Sequence, residues 1–150
     1  WIYPTEEHSW RCALYVKYET GFFGMIPIAW EGHSSFRIRD SKEVDGWYDI
    51  SGCKLQVNEW SHYVVSYNAK TETAYAYING QLVGSMKNVP GNRYAKRIVL
   101  GGDVFQPSFI GKICEVTFYN EIRDHDFVSE LHQSYVTRDD FIGFEIGIDK

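Results

Sequence analysis

The side chains that could support acid–base or nucleophilic chemistry are scattered along this chain of 150 residues. Acidic residues neighbour one another at Glu43-Val44-Asp45 and at Asp139-Asp140, but both clusters lie in turn-like sequence and are typical of solvated loops. His125 and Asp126 are adjacent at the predicted start of a helix, where a capping role accounts for them. The sequence contains no G-x-S-x-G elbow, H-E-x-x-H motif or phosphate-binding loop. We therefore predict a protein that is not an enzyme.

The elements that would position any functional side chain are predicted to be short β-strands. The segment WRCALYVKY, residues 10–18, places Trp10, Cys12, Leu14 and Val16 on one side, which is the two-residue period of a strand with one buried face. FRIRD and KLQV repeat this pattern. Segments rich in turn-forming residues separate the strands: ETGFFG, EGHSS, KEVDG, ISG and YNAKTET. This spacing favours an all-β, antiparallel fold.

The clearest single element is a double hairpin over residues 58–85. Two strand-like segments flank YNAKTET, and the second of them, TAYAYI, ends at Asn79-Gly80. Because Asn-Gly tolerates positive φ at both central positions of a tight turn, the chain should reverse there into QLVGS.

One helix is predicted near the C-terminus, in RDHDFVSELHQSY. Phe127, Val128, Leu131 and Tyr135 fall on one helical face, and Asp124 is placed to cap the N-terminus. The tail then alternates again, and we expect a last strand in which one side carries the following residues: Ile142, Phe144, Ile146 and Ile148.

Composition and charge narrow the class of protein. Apolar residues make up 44% of the chain and aromatic residues 17%, with 13 glycines, as expected for a turn-rich β protein. The net charge of −5 and the scattered basic residues Arg93, Lys96 and Arg97 argue against nucleic-acid binding. No apolar segment is long enough to span a bilayer, so no membrane insertion is expected. We predict a single domain over residues 1–150, excised from a longer protein of several modules.

The three cysteines, Cys12, Cys53 and Cys114, show no C-x-x-C pair and no metal-site spacing. Cys12 shares the inward side of its strand, whereas Cys114 follows Ile113 and should face the other way. We therefore predict three free thiols.

Taken in order along residues 10–131, five segments resemble the laminin-G-like branch of the concanavalin-A-like lectin and glucanase jelly rolls. They are Glu59-Trp60-Ser61-His62, the segment YINGQLVG, Leu100-Gly101-Gly102-Asp103, Phe109-Ile110-Gly111-Lys112-Ile113, and Glu115-Val116 followed by Tyr119-Asn120. The resemblance implies a two-sheet antiparallel β-sandwich, or jelly roll, with Trp60 in its core. Lys112 stands where laminin-G domains proper have a disulfide cysteine, so the match is to the wider laminin-G-like group.

The resemblance also bears on two single residues and on catalysis. Relatives often hold Ca²⁺ at the rim of the sandwich, which makes Asp103 a candidate ligand, although one carboxylate does not make a site. The alternative to a calcium site is that the protein binds no cofactor. His62 is either a ligand-binding or a structural histidine, the family commonly having one there without catalysis. Enzymes of the superfamily carry an alternating E-x-D-x-(x)-E strand, and this chain has none.

Aromatic side chains are the candidates for binding, because a sugar presents a flat apolar face edged with hydroxyl groups. Trp10 is expected in the core, and Trp30 is equally compatible with core and surface. Trp47 and Tyr48, in the loop-like VDGWYD, favour exposure. The resemblance places Tyr75 and Tyr77 on an outer face beside His62, where they either bind or form a cross-strand ladder. Arg37 and Arg39 share the outward side of FRIR and either bind or are merely solvated.

These patterns lead to a hypothesis of a secreted, non-catalytic carbohydrate-binding module. Its ligand would be a glycan or polysaccharide, and its other partners would be modules of the same polypeptide. Two alternatives remain open: an extracellular protein-binding or adhesion module, and a glycan-active enzyme with a different arrangement of carboxylates. The predicted ligand-binding residues are Trp30, Arg37, Arg39, Trp47, Tyr48, His62, Tyr75 and Tyr77.

Overall fold

The structure, a computed structural model, describes residues 1–42, 44–90 and 94–137. Within these ranges the chain forms short strands followed by one α-helix. The strands are β1 (Ile2–Pro4), β2 (Leu14–Lys17), β3 (Gly21–Ile26), β4 (His33–Asp40), β5 (Trp47–Lys54), β6 (Tyr63–Asn68), β7 (Thr73–Ile78), β8 (Gln81–Met86), β9 (Arg97–Leu100) and β10 (Gly111–Ile113), and the helix is α1 (His125–Val136).

The strands form three antiparallel sheets. The largest has the order β5-β4-β3-β2-β9, the second has the order β6-β7-β8, and β1 pairs with β10. Ile2 also bridges Ser61, which directly precedes β6. The predicted all-β antiparallel fold with one helix near the C-terminus is confirmed. The strand expected over Ile142–Ile148 lies outside the described residues, and the single-domain organisation stays a prediction.

The hydrophobic core lies between the five-stranded and the three-stranded sheet. Phe36 of β4 and Tyr63 of β6 stack with ring centroids 5.2 Å apart, which joins the two sheets at their centre. Ala74, Ala76 and Ile78 of β7 point into the same core, as expected from their alternation. Side chains of one parity on each strand thus fill the space between the sheets.

The double hairpin is confirmed. β6 and β7 pair across the turn at residues 69–72, and β7 returns into β8 through Asn79 and Gly80. Asn79 has φ 52° and Gly80 has φ 77°, as a type I′ turn requires.

Helix α1 begins where the sequence predicts. The carboxylate of Asp124 accepts a hydrogen bond of 3.0 Å from the backbone N–H of Phe127 and so caps the first turn. Val128 is fully buried. The segment that leads into the helix crosses the outer face of the three-stranded sheet, where the Ser66 hydroxyl donates to the Arg123 carbonyl over 2.8 Å.

Several details of the prediction are wrong. Trp60 is half-buried against Tyr3, with centroids 5.3 Å apart, and does not enter the core. Residues 55–58 (LQVN) follow the end of β5 as a turn, so KLQV is not a strand. Conversely, GFFG and ISG, predicted as turns, belong to β3 and β5, because the rings of GFFG pack on both sides of the sheet.

The three thiols are free, as predicted. Cys12 and Cys114 are both buried and Cys53 is exposed on β5. The inward direction predicted for Cys12 is wrong, because Cys12 packs with Tyr15 on the outer side of the five-stranded sheet and not with Val16 in the core. Burial raises the pKa of the Cys12 thiol, which keeps it protonated and unreactive at neutral pH.

The contact between α1 and the three-stranded sheet contains a cluster of three rings, of which Trp1 and His62 are buried and His132 of the helix is partly buried. Each ring contacts the other two, with centroid distances of 4.9 Å for Trp1–His62, 5.4 Å for Trp1–His132 and 5.7 Å for His62–His132. Burial lowers the pKa of His62 to about 4 and also lowers that of His132. Both rings are therefore neutral at physiological pH, which suits packing against an indole.

We predict that the protein loses stability as the pH falls from 6.5 to about 4. His62 binds a proton more weakly in the folded than in the unfolded protein. Its contribution to the free energy of unfolding is therefore fully present above pH 6.5, its unfolded pKa, and is lost as the pH falls to its folded pKa of about 4. Full protonation of this ring removes about 3 kcal/mol of unfolding free energy. Urea unfolding at several pH values measures the loss, and His62→Gln should flatten it. His33→Gln, at the surface, is the control, and equal pH dependence in parent and His62→Gln would contradict the prediction.

Candidate functional site

The outer face of the five-stranded sheet carries a second cluster of rings and charges. Antiparallel pairing sets Phe22 of β3 opposite Arg39 of β4, and Arg39 opposite Trp47 of β5. In the next row Arg37 stands opposite Asp49. Directly opposite residues share a face, so these side chains lie together on the side away from the core. We call this surface the tryptophan–arginine face; its residues are Trp10, Tyr15, Phe22, Trp30, Arg37, Arg39, Trp47, Asp49 and Phe105.

An ion pair lies at the centre of this face. The guanidinium of Arg37 donates from Nε to Oδ1 of Asp49 over 2.7 Å and from Nη2 to Oδ2 over 3.0 Å. The Ser35 hydroxyl donates to the same Oδ1 over 3.1 Å. Both charged side chains are about four-fifths buried, at 19% and 22% exposure. Two parallel hydrogen bonds fix the plane and direction of the guanidinium.

Three indole rings surround the same guanidinium. Its central carbon lies 4.7 Å from the ring centroids of Trp10 and Trp30 and 4.9 Å from that of Trp47. Trp10 and Trp30 meet edge to face, with centroids 4.4 Å apart. A cation near an indole is attracted by the negative face of the ring, by about 0.5–2 kcal/mol depending on exposure. Arg37 therefore holds three tryptophans from separate parts of the chain in one arrangement.

The backbone brings two of these tryptophans to the sheet from outside the strands. Trp10 has φ 70°, and its N–H donates to the Ile28 carbonyl over 2.7 Å, which anchors the chain before β2 beside the end of β3. Trp30 begins the short 3₁₀ turn Trp30–Gly32 between β3 and β4. Gly24 leaves room for the Cys12 thiol on this side of the sheet, since a Cβ there would lie 3.2 Å from the Cys12 sulfur.

Further rings extend the face across the sheet. Phe22 lies 6.1 Å from Trp47 on one side and 5.5 Å from Phe105 on the other. Phe105 belongs to a loop that Asp103 shapes, since the carboxylate accepts hydrogen bonds from the N–H groups of Phe105 and Gln106 over 2.6 and 2.8 Å. The aromatic surface is thus continuous from Phe105 to Trp47.

Four of the eight predicted binding residues come together here. Trp30 and Trp47 are exposed, at 45% and 49%, and the two arginines lie over their rings: Arg37 over both, and Arg39 over Trp47 at 4.8 Å. The outward direction predicted for Arg37 and Arg39 is confirmed. Trp47 opens a strand and does not lie in a loop.

The exposure expected for Tyr48 and Tyr77 is wrong, whereas the burial of His62 agrees with the structural alternative given for it. Tyr48 stands one residue from Trp47 on a strand and therefore packs against the core. Tyr77 is buried because His125 of α1 stacks on its ring at 6.0 Å. His62 is buried under the same helix and donates its backbone N–H to the Asn79 side chain over 2.8 Å. Tyr75 is half-buried on that sheet, away from the tryptophan–arginine face.

Sequence reasoning missed Trp10, Tyr15, Phe22, Asp49 and Phe105. Trp10 was expected in the core, but its positive φ takes it out of the alternation of β2. Phe22 and Asp49 lie in segments predicted as turns, although GWYDISG alternates Trp47, Asp49 and Ser51 and so carries a strand signal. No sequence pattern marks Phe105, whose position depends on the Asp103 turn.

Calcium binding at Asp103 stays a prediction. Across the ranges that the structure describes, no group of three or more His, Cys, Asp or Glu side chains is arranged to hold a metal ion. Oδ1 of Asp103 is engaged by two backbone N–H groups, so any ion at this rim would draw on the other oxygen and on ligands of a different kind.

A cleft of about 880 Å³ also lies between the two large sheets, open beside residues 115–123. Its lining combines core side chains such as Val16, Phe23 and Val65 with the segment 115–123, residues of α1 and charged side chains such as Lys70. The cleft differs from the tryptophan–arginine face in that no pair of tryptophans with charged partners lines it.

Comparison with known proteins assigns the family. The family model described as "Concanavalin A-like lectin/glucanases superfamily" (Laminin_G_3) matches residues 1–129, so the chain belongs to this family. A comparison with curated proteins gives no significant match. Because the superfamily is named for both lectins and glucanases, membership alone does not separate binding from catalysis.

Among solved structures, the chain is similar to the native heptameric SAP-like pentraxin of Limulus polyphemus. The TM-score is 0.67 at 16% identity, over 87% of this chain and 66% of that one. It is also similar, with a TM-score of 0.41 at 17% identity, to an S-layer domain-containing protein of Clostridium thermocellum, over 88% of this chain and 66% of that one. The chain thus spans just under two thirds of either structure. The similarity to the pentraxin shows that this chain has a lectin-like fold.

Among the described residues, no helix is long and apolar enough to cross a membrane.

We predict that Arg37 organises the three tryptophans. Arg37→Ala should lower the unfolding free energy by about 2 kcal/mol, since it leaves the Asp49 carboxylate largely buried without its partner. Tryptophan emission should move to longer wavelength as Trp10, Trp30 and Trp47 gain contact with water. Arg37→Lys should resemble Arg37→Ala, because an ammonium group cannot form the double hydrogen bond.

Arg97→Ala, at an exposed position of the same sheet, is the control for this experiment. Urea unfolding and fluorescence spectra are the measurements. A lysine variant with the stability and emission of the parent would show that the fork-like geometry of Arg37 is unnecessary.

Proposed function

We propose that this domain is a non-catalytic carbohydrate-binding module whose site is the tryptophan–arginine face. The observation that carries the proposal is the packing of three indole rings around an ion-paired guanidinium, with two of the rings exposed by 45% and 49%. Family membership and the lectin-like fold support a binding role.

The chemistry of the face suits a saccharide. Exposed faces or edges of Trp30 and Trp47 can cover the apolar C–H surface of a sugar ring, while guanidinium N–H groups and carboxylate oxygens can pair with its hydroxyl groups. The ion pair and the Asp103 turn fix these groups before the ligand arrives. Little conformational entropy is then lost on binding.

The arrangement of Asp49 favours binding over catalysis. Glycoside hydrolysis generally requires two carboxyl groups about 5–9 Å apart, one of them able to give up a proton. Asp49, at the centre of the face, accepts two hydrogen bonds from Arg37 and one from Ser35. Because its oxygens are already engaged by Arg37 and Ser35, this carboxylate is not placed to act on a glycosidic bond.

A sugar-binding module with these properties would act outside the cell, as one module of a longer secreted or surface polypeptide. The family, which takes its name from lectins and glucanases, supports this placement. The proposed partners are a glycan or polysaccharide and the neighbouring modules, with no role for nucleic acid or membrane insertion.

A protein-binding or adhesion module is the second candidate, because a different surface carries exposed apolar side chains. Beside the opening of the cleft, the segment before α1 exposes Val116, Phe118, Tyr119 and Ile122 by 41–60%. Clustered apolar side chains at a surface are typical of contacts between proteins. A glycan bound at the tryptophan–arginine face would not contact this segment, so the segment could serve a separate protein partner.

The test is a glycan array followed by calorimetric titration with the best ligand. Trp30→Ala and Trp47→Ala should each weaken binding about tenfold or more, since a ring central to a site is often worth about 2 kcal/mol. Both variants should stay folded with only a modest fall in melting temperature, because each ring is about half exposed and its loss opens no cavity in the core.

Tyr75→Ala is the matched control, an aromatic residue on the other sheet, and should bind like the parent. Phe118→Ala reports on the adhesion surface. Loss of binding in Tyr75→Ala with none in the tryptophan variants would move the site to the tyrosine hairpin. If no glycan on the array binds, and a protein partner binds the parent but not Phe118→Ala, the protein-binding or adhesion module would be favoured.

A further inference from the structure

Three cationic side chains and two rings lie in one row across the tryptophan–arginine face. Strand pairing sets Arg97 of β9 opposite Lys17 of β2, Lys17 opposite Phe22, and Phe22 opposite Arg39, which in turn faces Trp47. Adjacent strands lie about 4.8 Å apart, so five strands give a row roughly 19 Å long.

The side chains of this row point away from the core. Phe22 and Val99 pack against the outer cluster that contains Tyr15, and Lys17 and Arg97 share the parity of Tyr15 and Val99 on their strands. Lys17 and Arg97 are exposed. Within the described part of the chain, neither makes an ion pair or a side-chain hydrogen bond.

Carboxylates on the same face offset only part of its positive charge. Asp49 is paired with Arg37, and Asp103 accepts backbone hydrogen bonds in its turn but keeps its negative charge, which the two cations Lys17 and Arg97 outnumber. Glu19, near the end of β2, lies 3.8 Å from Lys96. The face therefore keeps uncompensated positive charge at Lys17 and Arg97, although the whole chain has a net charge of −5. Such a local field attracts anions.

We infer that the ligand of this face is an acidic polysaccharide. Its carboxylate or sulfate groups would lie against Lys17, Arg97 and the guanidinium of Arg39, and its sugar rings against Phe22 and Trp47. A row that places cations on either side of Phe22 and a second ring beside Arg39 matches a polymer that carries charge at intervals between apolar ring faces. The inference rests on the proposed function and specifies the substrate class of the same site.

Native affinity electrophoresis tests it with four polymers: polygalacturonate, its methyl ester, dextran sulfate and neutral dextran. The two acidic polymers distinguish carboxylate from sulfate, and the two neutral ones supply related backbones without charge. At least one acidic polymer should retard the protein, about tenfold more strongly than its neutral counterpart, and added salt should weaken the effect.

The double variant Lys17→Gln/Arg97→Gln should lose about tenfold in affinity for the acidic polymer. Its matched control is Lys70→Gln/Lys87→Gln, which removes the same charge from exposed positions near the three-stranded sheet and should bind like the parent. Thermal unfolding checks that both double variants fold.

The outcomes separate the two proposals. Equal retardation by neutral and acidic polymers, lost in Trp30→Ala and Trp47→Ala, would overturn the acidic-ligand inference and leave the proposed function intact. Failure of all four polymers together with a glycan array that shows no ligand would overturn both. A single-stranded DNA oligonucleotide bound as tightly as the acidic polymer through Lys17 and Arg97 would also overturn the inference, since the row would then select charge and not sugar.

Discussion

The ion pair between Arg37 and Asp49 is the interaction on which the outer face of the five-stranded sheet depends. Two charges that are about four-fifths buried need each other, because removal of either leaves the other poorly solvated. The pair orients the guanidinium, and the guanidinium in turn packs against three indole rings. Trp10 precedes β2, Trp30 lies between β3 and β4, and Trp47 opens β5, so one cation connects distant parts of the chain.

The outer faces of the two large sheets differ in how far other parts of the chain cover them. The three-stranded sheet covers part of its outer face with the segment that enters α1 and with the helix itself, through Ser66, Tyr77 and His62. The five-stranded sheet leaves Trp30 and Trp47 exposed above a fixed ion pair. Because the second face displays two tryptophans over a fixed ion pair, it is the better candidate for a ligand.

The elements governed by local chemistry could be predicted from the sequence. Asn79-Gly80 permits a type I′ turn and almost no other tight connection, and Asp124 caps α1 in the way its position predicts. The outward direction of Arg37 and Arg39 followed from alternation along β4. Each of these features is determined by a few residues that are adjacent in the sequence, so the sequence alone is enough to predict it.

The site itself depends on contacts between distant segments, and there the prediction was partly wrong. Nothing in TAYAYI reveals that His125, nearly fifty residues later, stacks on Tyr77 and removes it from solvent. Trp10 leaves the alternation of its strand through a positive φ that its flanking residues do not signal. Whether an aromatic residue is exposed is set by what packs over it, which is a property of the whole fold.

The central claim is that a ligand binds where Arg37 gathers Trp10, Trp30 and Trp47. The five tryptophans of the chain give five indole N–H signals in a nitrogen–proton NMR spectrum, and single Trp→Phe variants can assign them. Titration with the best glycan should shift the signals of Trp10, Trp30 and Trp47 and leave those of Trp1 and Trp60 in place. Shifts confined to Trp1 or Trp60, with the other three unchanged at saturation, would contradict the claim.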